Sequence, residues 1–223
     1  MKRLLGILVL FIGITVGEIR AQDDLDNYLS RKGMVDVGRM DTTLHVRLMY
    51  ATPDNFMGKT VYKGITRAWL HPKAAAMLVQ AQRWIKKQKP GWSLVIYDAA
   101  RPMSVQRTMW ALVRGTGLVN YVGNPDNGGG LHNYGMAVDV TLADESGIPV
   151  EMGTPFDFFG PEAHTTHEEK LLEEGKLTRP AFENRRFLRR AMQAAGFRVI
   201  PYEWWHFNAC SRTEARRSYR VLD

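Results

Sequence analysis

The stretch GLHNYGMAVD at residues 130–139 brings two metal-ligand side chains, His132 and Asp139, close together in the chain. A second short stretch, EWWH at residues 203–206, adds His206 and a spare carboxylate, Glu203. Closed structural zinc sites usually have four protein ligands, often thiolates, whereas two histidines and one carboxylate leave a fourth position for water. The two stretches therefore predict a catalytic zinc site in which Glu203 is the base for that water.

The residues around Asp139 alternate as in a β-strand. Residues 135–140 have a period of two, so Asp139 shares one face of the predicted strand with Gly135 and Ala137. Small neighbours leave space beside a carboxylate for an ion. An ordinary exposed aspartate on a strand fits this segment equally well, so the segment alone leaves both interpretations open.

Glu203 and His206 follow a predicted short strand at residues 197–200 and the helix-breaking Pro201. On a flat strand, side chains three residues apart point to opposite faces. We therefore expect a bent strand or an irregular turn, in which Trp204 and Trp205 hold the kink by packing.

Other segments have helix or strand signatures. Alternation at residues 43–50 predicts a half-buried strand with His45 facing solvent, and the apolar run 93–97 predicts a buried strand. Amphipathic spacing predicts helices at residues 72–87, 103–114 and 184–196, and a glycine-rich loop at 115–130 leads into the first metal motif. Four arginines are expected on the solvated face of the last helix: Arg185, Arg186, Arg189 and Arg190.

The N-terminus has the features of a secretory signal peptide. Lys2 and Arg3 precede an apolar run at residues 4–16, and Ala21 supplies a small residue before a cleavage point. The run is shorter than the ~20 residues of a membrane-spanning helix, which favours cleavage over an uncleaved anchor. We expect a signal peptide at residues 1–21 and one exported, periplasmic domain at 22–223, with no stable membrane insertion after the signal is removed.

Charge and cysteine content restrict the partners. The net charge is +7, and removing residues 1–21, which carry +2, leaves +5. A basic surface suits anionic cell-wall polymers and equally serves solubility, while the scattered Arg and Lys form no nucleic-acid motif. Cys210 is the sole cysteine, which excludes an intrachain disulfide and a thiolate zinc site. We expect Cys210 to be a buried packing residue rather than a nucleophile.

The two metal motifs resemble those of the zinc D-alanyl-D-alanine dipeptidases of the VanX type. His132, Gly135, Ala137 and Asp139 fit S-x-H-x-x-G-x-A-x-D, and residues 203–206 fit E-x-W-H. Further blocks also resemble this family: YATPDNF at 50–56, YDAARP at 97–102, MGTPFD at 152–157 and the helix from 184 into Gly196-Phe197. Together they cover most of residues 45–210, in the family's order.

The resemblance implies an α+β domain with a central antiparallel sheet flanked by helices, of the type shared by hedgehog domains and D,D-peptidases. It implies one Zn²⁺ per chain, bound by His132, Asp139 and His206. Glu203 would be the general base, and then the general acid, of peptide hydrolysis.

The resemblance also implies roles for four further residues. Arg101 would stabilise the oxyanion and Asp98 would orient it; without the resemblance, an ordinary ion pair of Arg101 with Asp98 is the simpler interpretation. Tyr50 and Asp157 match positions that contact the free amino group of the substrate, although Asp157 also suits the cap of a turn.

The sequence departs from the family pattern at Gly130, where the family usually has serine. The missing hydroxyl belongs to the substrate-binding surface, so the preferred dipeptide stays open. His164 and His167 are expected on a loop or on the surface, away from the metal.

Three functions fit these residues. The first is zinc-dependent hydrolysis of D-alanyl-D-alanine, or a close D,D-dipeptide, to free amino acids in cell-wall peptide turnover. The second is a D,D-carboxypeptidase that acts on longer wall peptides. The third is a zinc-bearing binding module without turnover, and the presence of both Glu203 and Arg101 argues against it.

Overall fold

A five-stranded sheet forms the centre of this protein, whose computed structural model describes residues 25–223. The predicted signal peptide at residues 1–21 lies outside the described residues. The strands are Val35–Asp36 (β1), His45–Val46 (β2), Trp69–Leu70 (β3), Ser93–Asp98 (β4), Ala137–Ala143 (β5), Arg198–Val199 (β6) and His206–Asn208 (β7). The helices are Leu25–Arg31 (α1), Val37–Met40 (α2), Pro72–Gln88 (α3), Met103–Val113 (α4), Glu168–Glu173 (α5), Arg179–Ala194 (α6) and Arg212–Ser218 (α7).

The strand order in the main sheet is β2-β4-β5-β7-β6. The β4–β5, β5–β7 and β7–β6 pairs are antiparallel, and only the short edge pair β2–β4 is parallel. A separate antiparallel pair is formed by β1 and β3. The predicted α+β class with a central antiparallel sheet is confirmed.

The central strand β5 is buried along its whole length, because both of its faces are covered. Val138, Val140 and Leu142 belong to the main core, in which α3 packs on α6 and β4, and α6 packs on β5. Asp139 and Thr141 lie on the opposite face and are also buried. The period of two predicted for this strand therefore separates an apolar face from a face that carries polar groups.

The predicted strand at residues 43–50 is mostly wrong. Leu44 and Leu48 are buried, but only His45 and Val46 pair with β4, and a 3₁₀ turn begins at Met49. This edge strand is short because the chain turns towards the loop that carries Tyr50. His45 is exposed, as predicted.

The predicted helices at 72–87 and 103–114 are confirmed as α3 and α4. The third helix, α6, begins five residues earlier than predicted, at Arg179, because the Thr178 side chain caps the amide of Ala181 and Pro180 suits the first turn. It ends before Gly196, whose φ of 92° is readily adopted only by glycine. Every helix within residues 25–223 is too short or too polar to span a bilayer.

The prediction of a solvated Arg185 is wrong. Arg186 and Arg190 are exposed, but Arg185 is 1 % exposed, because the segment between β5 and α5 folds over this side of α6. Its Nε donates to the Met152 carbonyl at 2.7 Å and its Nη1 donates to the Glu162 carbonyl at 2.9 Å. The spacing of residues along a helix does not show that a loop distant in sequence buries one of them, as happens to Arg185.

We expect Arg185→Met to destabilise the protein by about 3 kcal/mol, because the buried Met152 carbonyl and the half-buried Glu162 carbonyl lose their donor and buried Glu168 loses a nearby cation. Arg190→Met removes an exposed arginine from the same helix and is expected to change stability by less than ~0.5 kcal/mol. Urea unfolding of both variants measures this difference. Equal midpoints for the two variants would contradict a bracing role of Arg185.

Candidate active site

The three side chains that the sequence predicts as metal ligands lie close together in the structure. His132 lies in the 3₁₀ turn Leu131–Tyr134, Asp139 lies in β5, and His206 begins β7 directly opposite Asp139. His132 Nε2 is 3.2 Å from His206 Nδ1 and 3.4 Å from Asp139 Oδ1, and His206 Nδ1 is 2.9 Å from the same carboxylate oxygen. One atom of each residue therefore points to a common centre.

These distances fit a small tetrahedral ion. Ligand atoms placed about 2.0–2.1 Å from a tetrahedral metal are about 3.3 Å apart, close to the three separations found here. Burial by itself would raise the pKa of Asp139, but His132 and His206 outweigh it and hold that pKa well below its usual value. The cluster thus offers an ionised carboxylate and two imidazoles, and it leaves one side open to the cavity.

Both imidazoles are fixed by a second hydrogen bond. His132 Nδ1 donates to the Ala99 carbonyl at 2.7 Å, and His206 Nε2 donates to Asn208 Oδ1 at 2.9 Å. These bonds leave His132 Nε2 and His206 Nδ1 as the lone-pair atoms that face the cluster, which is the tautomer that a metal requires. Sequence reasoning missed Asn208, although its position two residues after His206 on a strand places both side chains on one face.

Glu203 lies beside the cluster, in the irregular turn that the sequence predicted before β7. Its Oε2 is 3.8 Å from His206 Nδ1. Trp204 and Trp205 are buried edge to face at 5.4 Å, and Trp204 Nε1 donates to Thr154 Oγ1 at 2.8 Å, so the two indoles fix the kink. Burial raises the pKa of Glu203 to about 8, against the lowering effect of His206.

Arg101 enters the cavity from a buried polar network. Its Nη2 contacts Asp98 closely, its Nε donates to the same oxygen at 3.0 Å, and its Nη1 donates to Gln106 at 3.0 Å. Tyr62 donates to the other Asp98 oxygen at 2.5 Å. Arg101 therefore both pairs with Asp98 and lines the cavity. From the sequence, an ion pair with Asp98 and a role at the site were alternative interpretations of Arg101. Sequence reasoning missed Tyr62, which is far from Asp98 in the chain, and Gln106, which lies only five residues after Arg101 in the first turn of α4.

Asp157 and Tyr50 are joined by a hydrogen bond from the Tyr50 hydroxyl at 3.0 Å, and the Phe56 amide donates to the second carboxylate oxygen at 3.3 Å. Tyr50 and Phe56 are far from Asp157 in the chain, so Asp157 does more than cap the turn in which it lies. Asp157 has a φ of 60°, a conformation that costs energy outside glycine and asparagine. Burial raises the pKa of Asp157 to about 7, against the hydrogen bonds from Phe56 and Tyr50.

A cavity of about 410 Å³ unites these groups. Its wall beside Asp157 is aromatic, with Tyr121 stacked on Phe159 at 4.6 Å and Phe56 packed edge to face on Phe159 at 5.2 Å. The predicted loop at 115–130 supplies part of this wall. His164 and His167 do not line the cavity, and Cys210 lies in its wall and is 3 % exposed.

Comparison with known proteins identifies the family of this chain. A model of the M15 peptidase family, described as D-Ala-D-Ala dipeptidase, matches residues 30–221. A D-alanyl-D-alanine dipeptidase of Escherichia coli K12 is 34% identical over 174 residues, which cover 78% of this chain and 83% of the relative. Enzymes of the same name from Enterococcus faecalis V583 and Synechocystis PCC 6803 are 30% and 27% identical, over 71% and 66% of this chain and 82% and 71% of the relatives.

Proposed function

This chain belongs to the D-Ala-D-Ala dipeptidase family of metal-dependent M15 peptidases, and on that premise we propose that it hydrolyses D-alanyl-D-alanine, or a close D,D-dipeptide, with one bound zinc ion. The observation that carries the proposal is the convergence of His132, Asp139 and His206 beside Glu203, in a cavity that Arg101 also lines.

Zinc held by the three converging side chains would supply Lewis acidity, which lowers the pKa of water to about 7. Glu203 takes a proton from the attacking water and then delivers it to the departing amine. A buried carboxyl with a pKa of about 8 favours the protonated form, whereas a nearby divalent cation favours the carboxylate. These opposing effects keep Glu203 able to change protonation state near neutral pH.

The Arg101 guanidinium places a positive charge beside the scissile carbonyl of the substrate. Asp98 and Gln106 fix its guanidinium, so little reorganisation is needed when negative charge develops on the carbonyl oxygen. Asp98 is completely buried and also accepts a hydrogen bond from Tyr62, and its role is to position Arg101.

Asp157 and Tyr50 are proposed to bind the free amino group of the dipeptide. The carboxylate of Asp157 faces the cavity, and an ammonium group is its natural partner there. The packed rings of Phe56, Tyr121 and Phe159 form the cavity wall beside Asp157, and a wall at the ammonium end favours a dipeptidase over a carboxypeptidase that acts on longer wall peptides.

The setting that we propose follows from the N-terminal sequence. Residues 1–21 would direct export and be removed, and residues 22–223 would work as one domain in the periplasm, in turnover of cell-wall peptides.

The test uses purified residues 22–223 with added zinc and three substrates: D-Ala-D-Ala, N-acetyl-D-Ala-D-Ala and a pentapeptide that ends in D-Ala-D-Ala. Release of D-alanine is measured by amino-acid analysis. We expect the free dipeptide to be cleaved at least ~100-fold more efficiently than the other two, because only it presents an ammonium group to Asp157. Faster cleavage of the pentapeptide would instead indicate a D,D-carboxypeptidase.

Asp157→Asn is expected to weaken substrate binding and to stabilise the fold at high pH. Asparagine tolerates the positive φ, its Oδ1 can accept from the Phe56 amide and its Nδ2 can donate to the Tyr50 hydroxyl, but it has no charge for the ammonium group, so KM should rise roughly 10- to 100-fold.

The stability effect follows from the pKa of Asp157, which is raised from 3.8 to about 7. The folded protein therefore loses stability as pH rises from about 4 to 7, and above 7 the cost of a buried charge is fully present, on the order of a few kcal/mol at most. Asp157→Asn removes this cost, so its melting temperature should exceed that of the wild type at pH 8 but not at pH 4. Exposed Asp126→Asn is the control. A melting temperature at pH 8 no higher than that of the wild type would contradict the buried charge.

A further inference from the structure

Two arginines that the proposed mechanism does not use line the same cavity. Arg198 lies in β6, and Arg212 is the first residue of α7. Arg212 Nη2 donates to the Gly129 carbonyl at 3.2 Å. Both side chains are exposed at the cavity, and neither forms an ion pair with a carboxylate within residues 25–223.

The sheet register places Arg198 on the face of the metal cluster. Arg198 pairs with Asn208 across the β6–β7 ladder, so the two side chains lie on the same face of the sheet. The Asn208 side chain is bonded to His206, which fixes that face as the one that carries the cluster.

The amine-binding residues lie on the other side of the cluster. Asp157 is bonded to Tyr50, and the neighbouring Phe156 packs on Tyr97 of β4 at 5.3 Å. Along the strand order β4-β5-β7-β6, the amine side is therefore at β4, the cluster is at β5 and β7, and Arg198 is at β6. Adjacent strands are about 4.8 Å apart, so the spread of these groups suits the two ends of a dipeptide.

The arginines are the positively charged groups of this end, and the polar side chains beside them carry no charge. The Asn208 side-chain oxygen accepts from His206, and the Ser211 hydroxyl accepts from the Glu214 amide as the cap of α7, so both are neutral groups with another task. Gly130, beside the carbonyl that binds Arg212, offers no side chain, and a Cβ there would meet nothing within 4 Å.

We propose that Arg198 and Arg212 form a subsite for the free carboxylate of the leaving residue. A dipeptide would then be held at its ammonium end by Asp157 and at its carboxylate end by two guanidinium groups, which prefer carboxylates in bidentate geometry. This subsite rests on the proposed function, and it makes the free C-terminus a second requirement for recognition.

The test measures binding, so it does not depend on turnover. Calorimetry on the zinc-loaded full chain with Glu203→Gln gives Kd for D-Ala-D-Ala and for its C-terminal amide. We expect the acid to bind at least about tenfold more tightly than the amide, and addition of Arg198→Gln and Arg212→Gln to remove most of that preference. Arg190→Gln, which removes the same charge from an exposed site outside the cavity, should keep it.

Melting temperatures would show that the variants are folded. An acid preference that is unchanged in the variant without both arginines would overturn the subsite. A wild-type protein that prefers the acid in binding but does not hydrolyse it would refute the proposed function and leave the subsite supported.

Discussion

Glu203→Gln is expected to lower kcat for D-Ala-D-Ala by roughly 10³-fold, because the amide neither accepts the proton of water nor delivers one to the departing amine. Glutamine has the shape of glutamate, and Glu203 is not among the three converging ligands. Metal content should therefore stay at the wild-type level, and KM should change little compared with kcat. Steady-state kinetics together with elemental analysis measure these quantities.

The matched control for Glu203→Gln is Glu169→Gln, which makes the same change at an exposed position of α5 and should leave kcat unchanged. A Glu203→Gln variant that holds zinc and turns over within tenfold of the wild type would show that another group transfers the proton. Loss of zinc from this variant would instead make Glu203 part of the ligand set.

Arg101→Ala is expected to reduce kcat/KM by about 10²- to 10³-fold, because the developing oxyanion loses its preorganised cation. It should also destabilise the fold by roughly 3–5 kcal/mol, since completely buried Asp98 loses its cationic partner and keeps only the hydrogen bond from Tyr62 and the more distant His132 ring. The loss of activity can be assigned to the missing cation only after it has been separated from the loss of stability.

The variant Arg101→Ala with Asp98→Asn makes that separation. It removes the buried charge together with its partner, so urea unfolding should show stability closer to the wild type than Arg101→Ala alone. Activity should stay low, because the oxyanion still lacks its cation. Recovery of kcat/KM in the double variant would mean that Arg101 acts only through the fold.

The convergence of His132, Asp139 and His206 could be predicted because these residues belong to two short stretches with recognisable spacing. The turn before His206 could also be predicted, since two side chains three residues apart can share a cavity only if the strand is kinked. The helices α3 and α4 have local signals in their periodicity and end residues, and these determined their bounds to within one residue.

The remaining features depend on contacts between distant segments. Arg185 has the spacing of a solvated residue, and only the loop that contributes Met152 and Glu162 buries it. Tyr62 holds Asp98 of the Asp98–Arg101 pair from a segment 36 residues away, which no local pattern connects to it. The strand at β2 is short because an edge strand pairs only as far as its neighbour and the following turn allow, which alternation does not indicate.

The most direct test of the central claim is an anomalous difference map, recorded above and below the zinc absorption edge on crystals of residues 22–223 grown with zinc. We predict one zinc peak per chain, about 2.0–2.2 Å from His132 Nε2, Asp139 Oδ1 and His206 Nδ1, with no fourth protein ligand. A peak elsewhere, or no peak in protein that hydrolyses the dipeptide, would contradict the account.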